Sequence, residues 1–203
     1  MKKLIYLPLY LFMFTSFLLS QSSIPNNKYV TDGTVRAIVV DGDYTYIGGD
    51  FTSVGIKANF TSFAKFNSAN SNIDVNFPIV VGDVETSAPD GNGGWYIGGS
   101  FNSVGGQPRN YIARINSDGT VHPWNPNPGI GFYNVVSSIA VSGNDIYAGG
   151  RFSTIGGLTR SNIAKLNNTN GNADATWNPN ATGFVYSIVV SGSDVYVGGE
   201  FTT

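Results

Sequence analysis

Asp50 and Glu200 stand at equivalent places in a chain of 203 residues. A pair of carboxylates is the usual equipment for cleaving a glycosidic bond, at separations of about 5 to 10 Å. Nothing in the linear spacing supplies that distance, and solvated strand residues are the simpler reading. The other members of the same series are Ser100 and Arg151. A position whose charge and size change from copy to copy faces water or a ligand, on the opposite side of the strand from its apolar neighbours. His122 is the single histidine and cysteine is absent, so a zinc site of ordinary composition lacks its ligands; an exposed imidazole beside a turn is expected. Asp118-Gly119 and Asp41-Gly42-Asp43 lack the ligand spacing and terminal Glu of an EF-hand and are read as turns. Trp124 and Trp177 could stack on sugars, but each precedes Asn-Pro, which points first to packing at a sheet edge. Arg109 matches Arg160 between copies, and Lys65 matches Arg114 and Lys165. Recurrence of that kind indicates structural work such as bonding a carbonyl. No nucleophile beside a base and no phosphate-binding loop is visible. No catalytic residue, cofactor or metal ligand is therefore assigned.

Composition narrows the field. Charged residues make up 12% of the chain, about half the usual ~25%, and the 26 glycines are near twice the average share of roughly 7%. Few charges with much Gly suit short strands and tight turns. No block of like charge is present. Without Lys2 and Lys3, nine basic residues face thirteen acidic ones, a net charge of −4. A nucleic-acid partner is excluded on that ground, because neutralising phosphates needs clustered Lys and Arg. With no cysteine, the core holds by packing alone.

Met1-Lys2-Lys3, an apolar stretch from Leu4 to Leu19, and Ser20-Gln21-Ser22-Ser23 are the basic head, apolar middle and polar exit of a secretory signal peptide. A spanning helix wants about 20 apolar residues and this stretch offers fewer. Residues 1–20 are expected to be removed, and no membrane span is expected afterwards. The mature protein is then extracellular, at the cell surface or in the periplasm.

A short string returns four times along the chain: Gly48-Gly49-Asp50-Phe51, Gly98-Gly99-Ser100-Phe101, Gly149-Gly150-Arg151-Phe152 and Gly198-Gly199-Glu200-Phe201. The steps are 50, 51 and 49 residues, a period that signals an internal repeat whose copies bury their apolar faces on one another. Adjacent glycines weaken a strand unless another backbone approaches closely or a bulge bends it. The four Phe rings are expected between neighbouring sheets, each contributing about 1.5 to 3 kcal/mol on burial.

Each copy divides into four short apolar runs. The first is Val35–Val40, Val136–Val141 or Val185–Val190, followed by a Gly-containing hairpin turn; the second ends in the paired glycines. A Gly-containing loop (Gly55-Ile56, Gly105-Gly106 or Gly156-Gly157) leads to the third run, Phe63–Asn67, Ile112–Asn116 or Ile163–Asn167. The fourth closes on Phe77-Pro78, Trp124-Asn125-Pro126 or Trp177-Asn178-Pro179, and proline confines it to an edge. In the second copy Glu85–Pro89 lacks the Val and Ile of the others, so a shorter or frayed strand is expected there.

Four strands in about 50 residues, repeated side by side, describe the blade of a β-propeller, which usually has four to eight blades. Tyr46–Phe51, Gly105–Asn110, Ile112–Gly119 and Trp124–Pro126 together resemble the delta-60 repeat of large secreted bacterial proteins, and the likeness runs from residue 34 to 203. The paired glycines also resemble kelch strands. The resemblance implies a secreted β-propeller with no assigned activity and no catalytic residues.

The expected organisation is a lead-in at 21–33 that could supply a closing edge strand through Lys28–Asp32. Repeats follow at about 34–83, 84–134 and 135–184, with a partial one at 185–203. Such a chain is the amino-terminal part of a larger propeller, or else self-associates through its open edges. The expected role is non-enzymatic binding of a protein or glycan, or a structural spacer. The alternative is a glycan hydrolase or lyase with Asp50 and Glu200 at the axial mouth.

Overall fold

The computed structural model describes residues 31–41, 44–52, 62–67, 74, 77–129 and 133–201. The expected signal peptide and most of the lead-in lie outside these, as do Gly42, Asp43, Gly55, Ile56 and Asn76. Every regular element among the described residues is a strand.

The first blade is β1 (Thr34–Asp41), β2 (Tyr44–Asp50) and β3 (Phe63–Asn67), antiparallel in that order. The short β4 (Val80–Val81) leads into the second blade, β5 (Val84–Pro89), β6 (Trp95–Gly99) and β9 (Ile112–Ile115), with β7 (Ser103–Val104) and β8 (Gln107–Pro108) between. The third is β10 (Val135–Ser142), β11 (Asp145–Arg151) and β14 (Ile163–Asn167), with β12 (Thr154–Ile155) and β13 (Leu158–Thr159) between. The fourth is represented by β15 (Val185–Ser191) and β16 (Asp194–Gly199). The Gly-containing loops of repeats two and three are two-residue hairpin turns. Gly105 and Gly106 have φ of 56° and 75°, and Gly156 and Gly157 have 60° and 80°. Both central residues of such a turn must be left-handed, which selects Gly-Gly.

The fourth run differs from expectation. In repeats two and three it contributes single antiparallel bridges, Ile115 to Val121 and Leu166 to Ala173. Proline cannot extend the ladder, and Trp124 leaves its own sheet for the next blade, where its indole N–H donates to the Asn167 carbonyl at 2.8 Å. In repeat two, β5 is shorter than β1 and β10, as expected, but it is paired along its length with β6 rather than frayed.

The blades stack in chain order: β5 lies on β1 and β2, β10 on β5 and β6, and β15 on β10 and β11. The two glycines of each pair do different jobs. A Cβ on the first would strike the next blade, 2.8 Å from Val84 Cγ1 at Gly48, 2.7 Å from Val136 Cγ1 at Gly98, and 2.8 Å from Ile188 Cδ1 as well as onto Val185 at Gly149. The group that approaches first is thus a valine side chain, joined at Gly98 by the Val136 backbone carbonyl at 3.0 Å, and those three valines are fully buried. A Cβ on the second, at Gly49, Gly99, Gly150 or Gly199, would overlap a carbonyl oxygen at or one residue before the start of the blade's own first strand. That strand is bulged there: the register slips at Arg36, Glu85, Ser137 and Tyr186. At Gly198 the nearest atom to an added Cβ is Ser187 Cβ of the same blade, 3.9 Å away. Among the described residues nothing covers the outer face of the fourth blade, where Tyr196 is 59% and Val189 57% exposed, or that of the first, where Ile38 is 66% exposed.

The seams are aromatic. Tyr46 of the first blade lies 4.1 Å, centroid to centroid, from Trp95 of the second. Tyr96 meets Trp124 edge-on at 5.0 Å and Tyr147 meets Trp177 at 5.3 Å. Phe51, Phe101 and Phe152 are buried. Phe101 shares a cluster with Tyr46 and Phe63 of the first blade, and Phe152 one with Tyr96 and Trp124 of the second. Phe51 packs on Ala64 and Phe66 of its own blade. Phe51 and Phe201 thus depart from the expected place between sheets: Phe51 stays within its own blade, and Phe201 is half-buried at the margin of the third seam.

Candidate functional site

The varied series falls at the ends of the second strands, and Asp50, Ser100, Arg151 and Glu200 are all exposed. Each end is fixed by the glycine pair before it and by a left-handed residue beside it, Ser62, Tyr111 or Asn162, with φ of 62° to 68°. The carbonyl of that residue accepts the N–H of the second glycine in all three repeats. Asp50 and Glu200 stand in the first and fourth blades with two blades packed between them.

A second varied series, not singled out in the sequence, joins the first. The bulged residues Arg36, Glu85, Ser137 and Tyr186 stand out of register where the neighbouring carbonyl closes on the second glycine, an approach the missing Cβ permits. Neighbouring blades bring them side by side: Arg36 Nε lies 3.7 Å from Glu85 Oε1. The available signal was that the place after the constant Val reads Arg, Glu, Ser and Tyr in successive repeats. A bulge re-aims a side chain and is a frequent neighbour of functional sites.

Members of the two series line one cleft between the third and fourth blades. Arg151 Cζ lies 4.8 Å from the Tyr133 ring centroid and 4.6 Å from that of Phe184. Each contact contributes about 0.5 to 1 kcal/mol at an exposed site, so the guanidinium is held by two rings. A cleft of about 300 Å³ opens here, lined by Tyr133, Ser137, Arg151, Phe184 and Tyr186 among others. Hydrogen bonding to Glu200, helped by partial burial and by that carboxylate's charge, pushes the Tyr186 hydroxyl above its ordinary pKa. A second cleft of about 410 Å³ shares Asn134 and Arg151 and adds Ser153, Ser161, Asn162 and Asn180.

The remaining candidates are structural. His122 is half-buried rather than fully exposed. Its Nδ1 accepts the Trp124 N–H at 3.0 Å and its carbonyl accepts from Arg109 at 3.1 Å. Burial, with the charge of Arg114, lowers its pKa, in keeping with an imidazole that serves as acceptor. Arg109 also donates to the Pro108 carbonyl, and Arg160 to those of Thr159 and Asp174. Lys65, Arg114 and Lys165 bond carboxylates instead: Asp74 at 3.3 Å, Asp90 at 2.7 Å and Asp174 at 2.5 Å. Asp118 accepts from the N–H and hydroxyl of Thr120, closing a turn. Trp124 is buried and packs at a seam. Among the described residues, no group of three or more His, Asp or Glu is arranged to hold a metal ion.

Residues 89–122 and 144–176 match the model of a family described as a domain of unknown function (DUF5122) beta-propeller. No curated protein matches the chain. The matched segments run from the first hairpin turn past the third strand to the bridge of the fourth run in repeats two and three, and they support a propeller-repeat family; the finer likenesses to delta-60 and kelch rest on motifs alone. With its sheets stacked as blades and two of its repeats matched in this way, the chain is a β-propeller repeat protein.

Proposed function

We propose that this propeller is a non-enzymatic binding module that works outside the cytoplasm and takes a glycan at the face formed by the strand ends and bulges. One observation carries the reading. Positions held constant between repeats (Gly, Val and Phe) are spent on the seams and bulges, whereas the two series that vary lie together at one end of the blades. A scaffold built from constant parts that displays varied ones is how repeat folds create binding surfaces. The basic, apolar and polar succession of residues 1–23 supports export.

Binding is tested by probing an immobilised glycan panel with the chain, with Ser137→Arg, which fills the cleft, and with Asn144→Arg at the far hairpin turn. Retention of a glycan by the parent and by Asn144→Arg, and its loss in Ser137→Arg, is the expected result. Equal behaviour of the two variants, or no glycan retained at all, refutes the site. Export is checked by fractionating expressing cells: the chain should appear outside the cytoplasm without its first 20 or so residues, and an intact cytosolic protein would refute it.

A further inference from the structure

Arg151 differs from the other arginines and lysines of the third blade in what its charge meets. Arg160 is spent on carbonyls and Lys165 on carboxylates. The guanidinium of Arg151 instead lies over the rings of Tyr133 and Phe184, and among the described residues no carboxylate lies within salt-bridge reach of it. A cation–π contact holds the charge in place without consuming an N–H donor. A planar fork of that kind matches a carboxylate bidentately.

The surroundings specify what should carry the carboxylate. The adjoining cleft is walled by neutral amides and hydroxyls, including Ser153, Ser161 and Asn180, groups that can both donate and accept and so suit a ligand rich in hydroxyls. Asn162 is already engaged, bonding the Phe152 N–H and the Ala181 carbonyl, and so acts as wall. Tyr133 and Tyr186, 72% and 52% exposed, offer amphipathic ring faces on which the C–H side of a pyranose can lie. The Glu200 carboxylate, tied to Tyr186, adds a negative charge to the rim. It opposes a doubly charged phosphate more than a singly charged carboxylate.

We infer that Arg151 is the recognition element for the carboxylate of a uronic acid residue in a saccharide, whose neighbouring sugars extend along the amide-lined cleft. This rests on the reading of the face as a glycan-binding surface and narrows it to one chemical class at one residue.

The test uses a galacturonic acid trisaccharide, its carboxyl-reduced neutral counterpart, and inorganic phosphate, each titrated calorimetrically into the chain and into Arg151→Lys and Arg151→Gln. Far-ultraviolet dichroism confirms that the variants fold. The uronate should bind about tenfold or more tighter than the reduced sugar, since hydrogen bonds to charged groups are the strong ones. Both variants should lose a similar factor, Lys included because a point charge cannot reproduce a planar fork. Added salt should weaken the uronate and not the neutral sugar. Equal affinity for the two sugars, full retention by Arg151→Lys, tighter binding of phosphate, or no uronate binding at millimolar concentration overturns the inference. If a neutral glycan binds equally to the parent and to Arg151→Gln but is lost in Ser137→Arg, the carboxylate assignment alone has failed. If Ser137→Arg binds like the parent, the glycan-binding face itself is wrong.

Discussion

Replacing Gly149 and Gly198 by alanine, one at a time, separates what a neighbouring blade requires from what the strand itself requires. Both are the first glycine of their pair and precede the same Gly-x-Phe string. At Gly149 the new methyl would fall on Val185 and lie 2.8 Å from Ile188 Cδ1. Neither side chain has room to retreat, because Val185 and Ile188 are buried in the third seam. Overpacking of this kind costs about 1 to 3 kcal/mol. At Gly198 the nearest atom is 3.9 Å away, so only the unfolded chain notices, and the substitution should stabilise by about 0.4 to 1 kcal/mol.

Gly199→Ala is the internal control. Its methyl would overlap the Phe184 carbonyl and lie 3.0 Å from Val185 Cα, contacts within its own blade. It should destabilise although its immediate neighbour does not, at the upper end of about 1 to 3 kcal/mol. Urea unfolding followed by tryptophan fluorescence reads all three variants, since Trp177 lies against Tyr147 at this seam. Equal midpoints for Gly149→Ala and Gly198→Ala would refute the assignment of the first glycine to the neighbouring blade. A Gly199→Ala variant as benign as Gly198→Ala would refute the assignment of the second to the bulge.

Phe152→Ala should cost about 3 to 5 kcal/mol, because the ring is 4% exposed within the seam between the second and third blades; Phe201→Ala should cost less from its half-buried place, and an unchanged melting temperature for Phe152→Ala would contradict the packing. Acid should weaken the second blade through Asp90. Burial raises the pKa of this carboxyl, but the N–H groups of Asn92 and Gly94 and the Arg114 guanidinium outweigh it and bring the pKa below its ordinary value. A carboxyl depressed in the folded state contributes fully above the unfolded pKa of about 3.9 and loses that contribution as pH falls through the folded value. Stability measured from pH 6 down to pH 2 should therefore fall less steeply below about pH 4 in Asp90→Asn than in the parent, and identical slopes would count against the role of Asp90.

The repeat was legible because it is written in local chemistry. Paired glycines, hairpin turns and β-branched runs recur at one spacing, and each requires its residue type whatever lies around it. The bulges were legible only in part: the paired glycines allowed for one, but Val35-Arg36-Ala37 and Val136-Ser137-Ser138 read as ordinary strand, and that the slip falls there appears only when the two strands are paired. The fourth run was misjudged for a similar reason. Its apolar residues and terminal proline suit an edge strand, and it does lie beside the third strand, but through one bridge only, and Trp124 enters the next blade, where its indole N–H is satisfied.

From sequence alone followed the all-β class, the four copies and the exposure of Asp50, Ser100, Arg151 and Glu200, because each depends on residues close along the chain. Stacking decided the rest. Only the packing of the fourth blade on the third carries Phe184 to Arg151 and sets Tyr186 beside Ser137, and only an unoccupied outer face makes Gly198 differ from Gly149. Those contacts join residues distant in the chain, and no local pattern records which copy of a repeat will lie against which varied side chain.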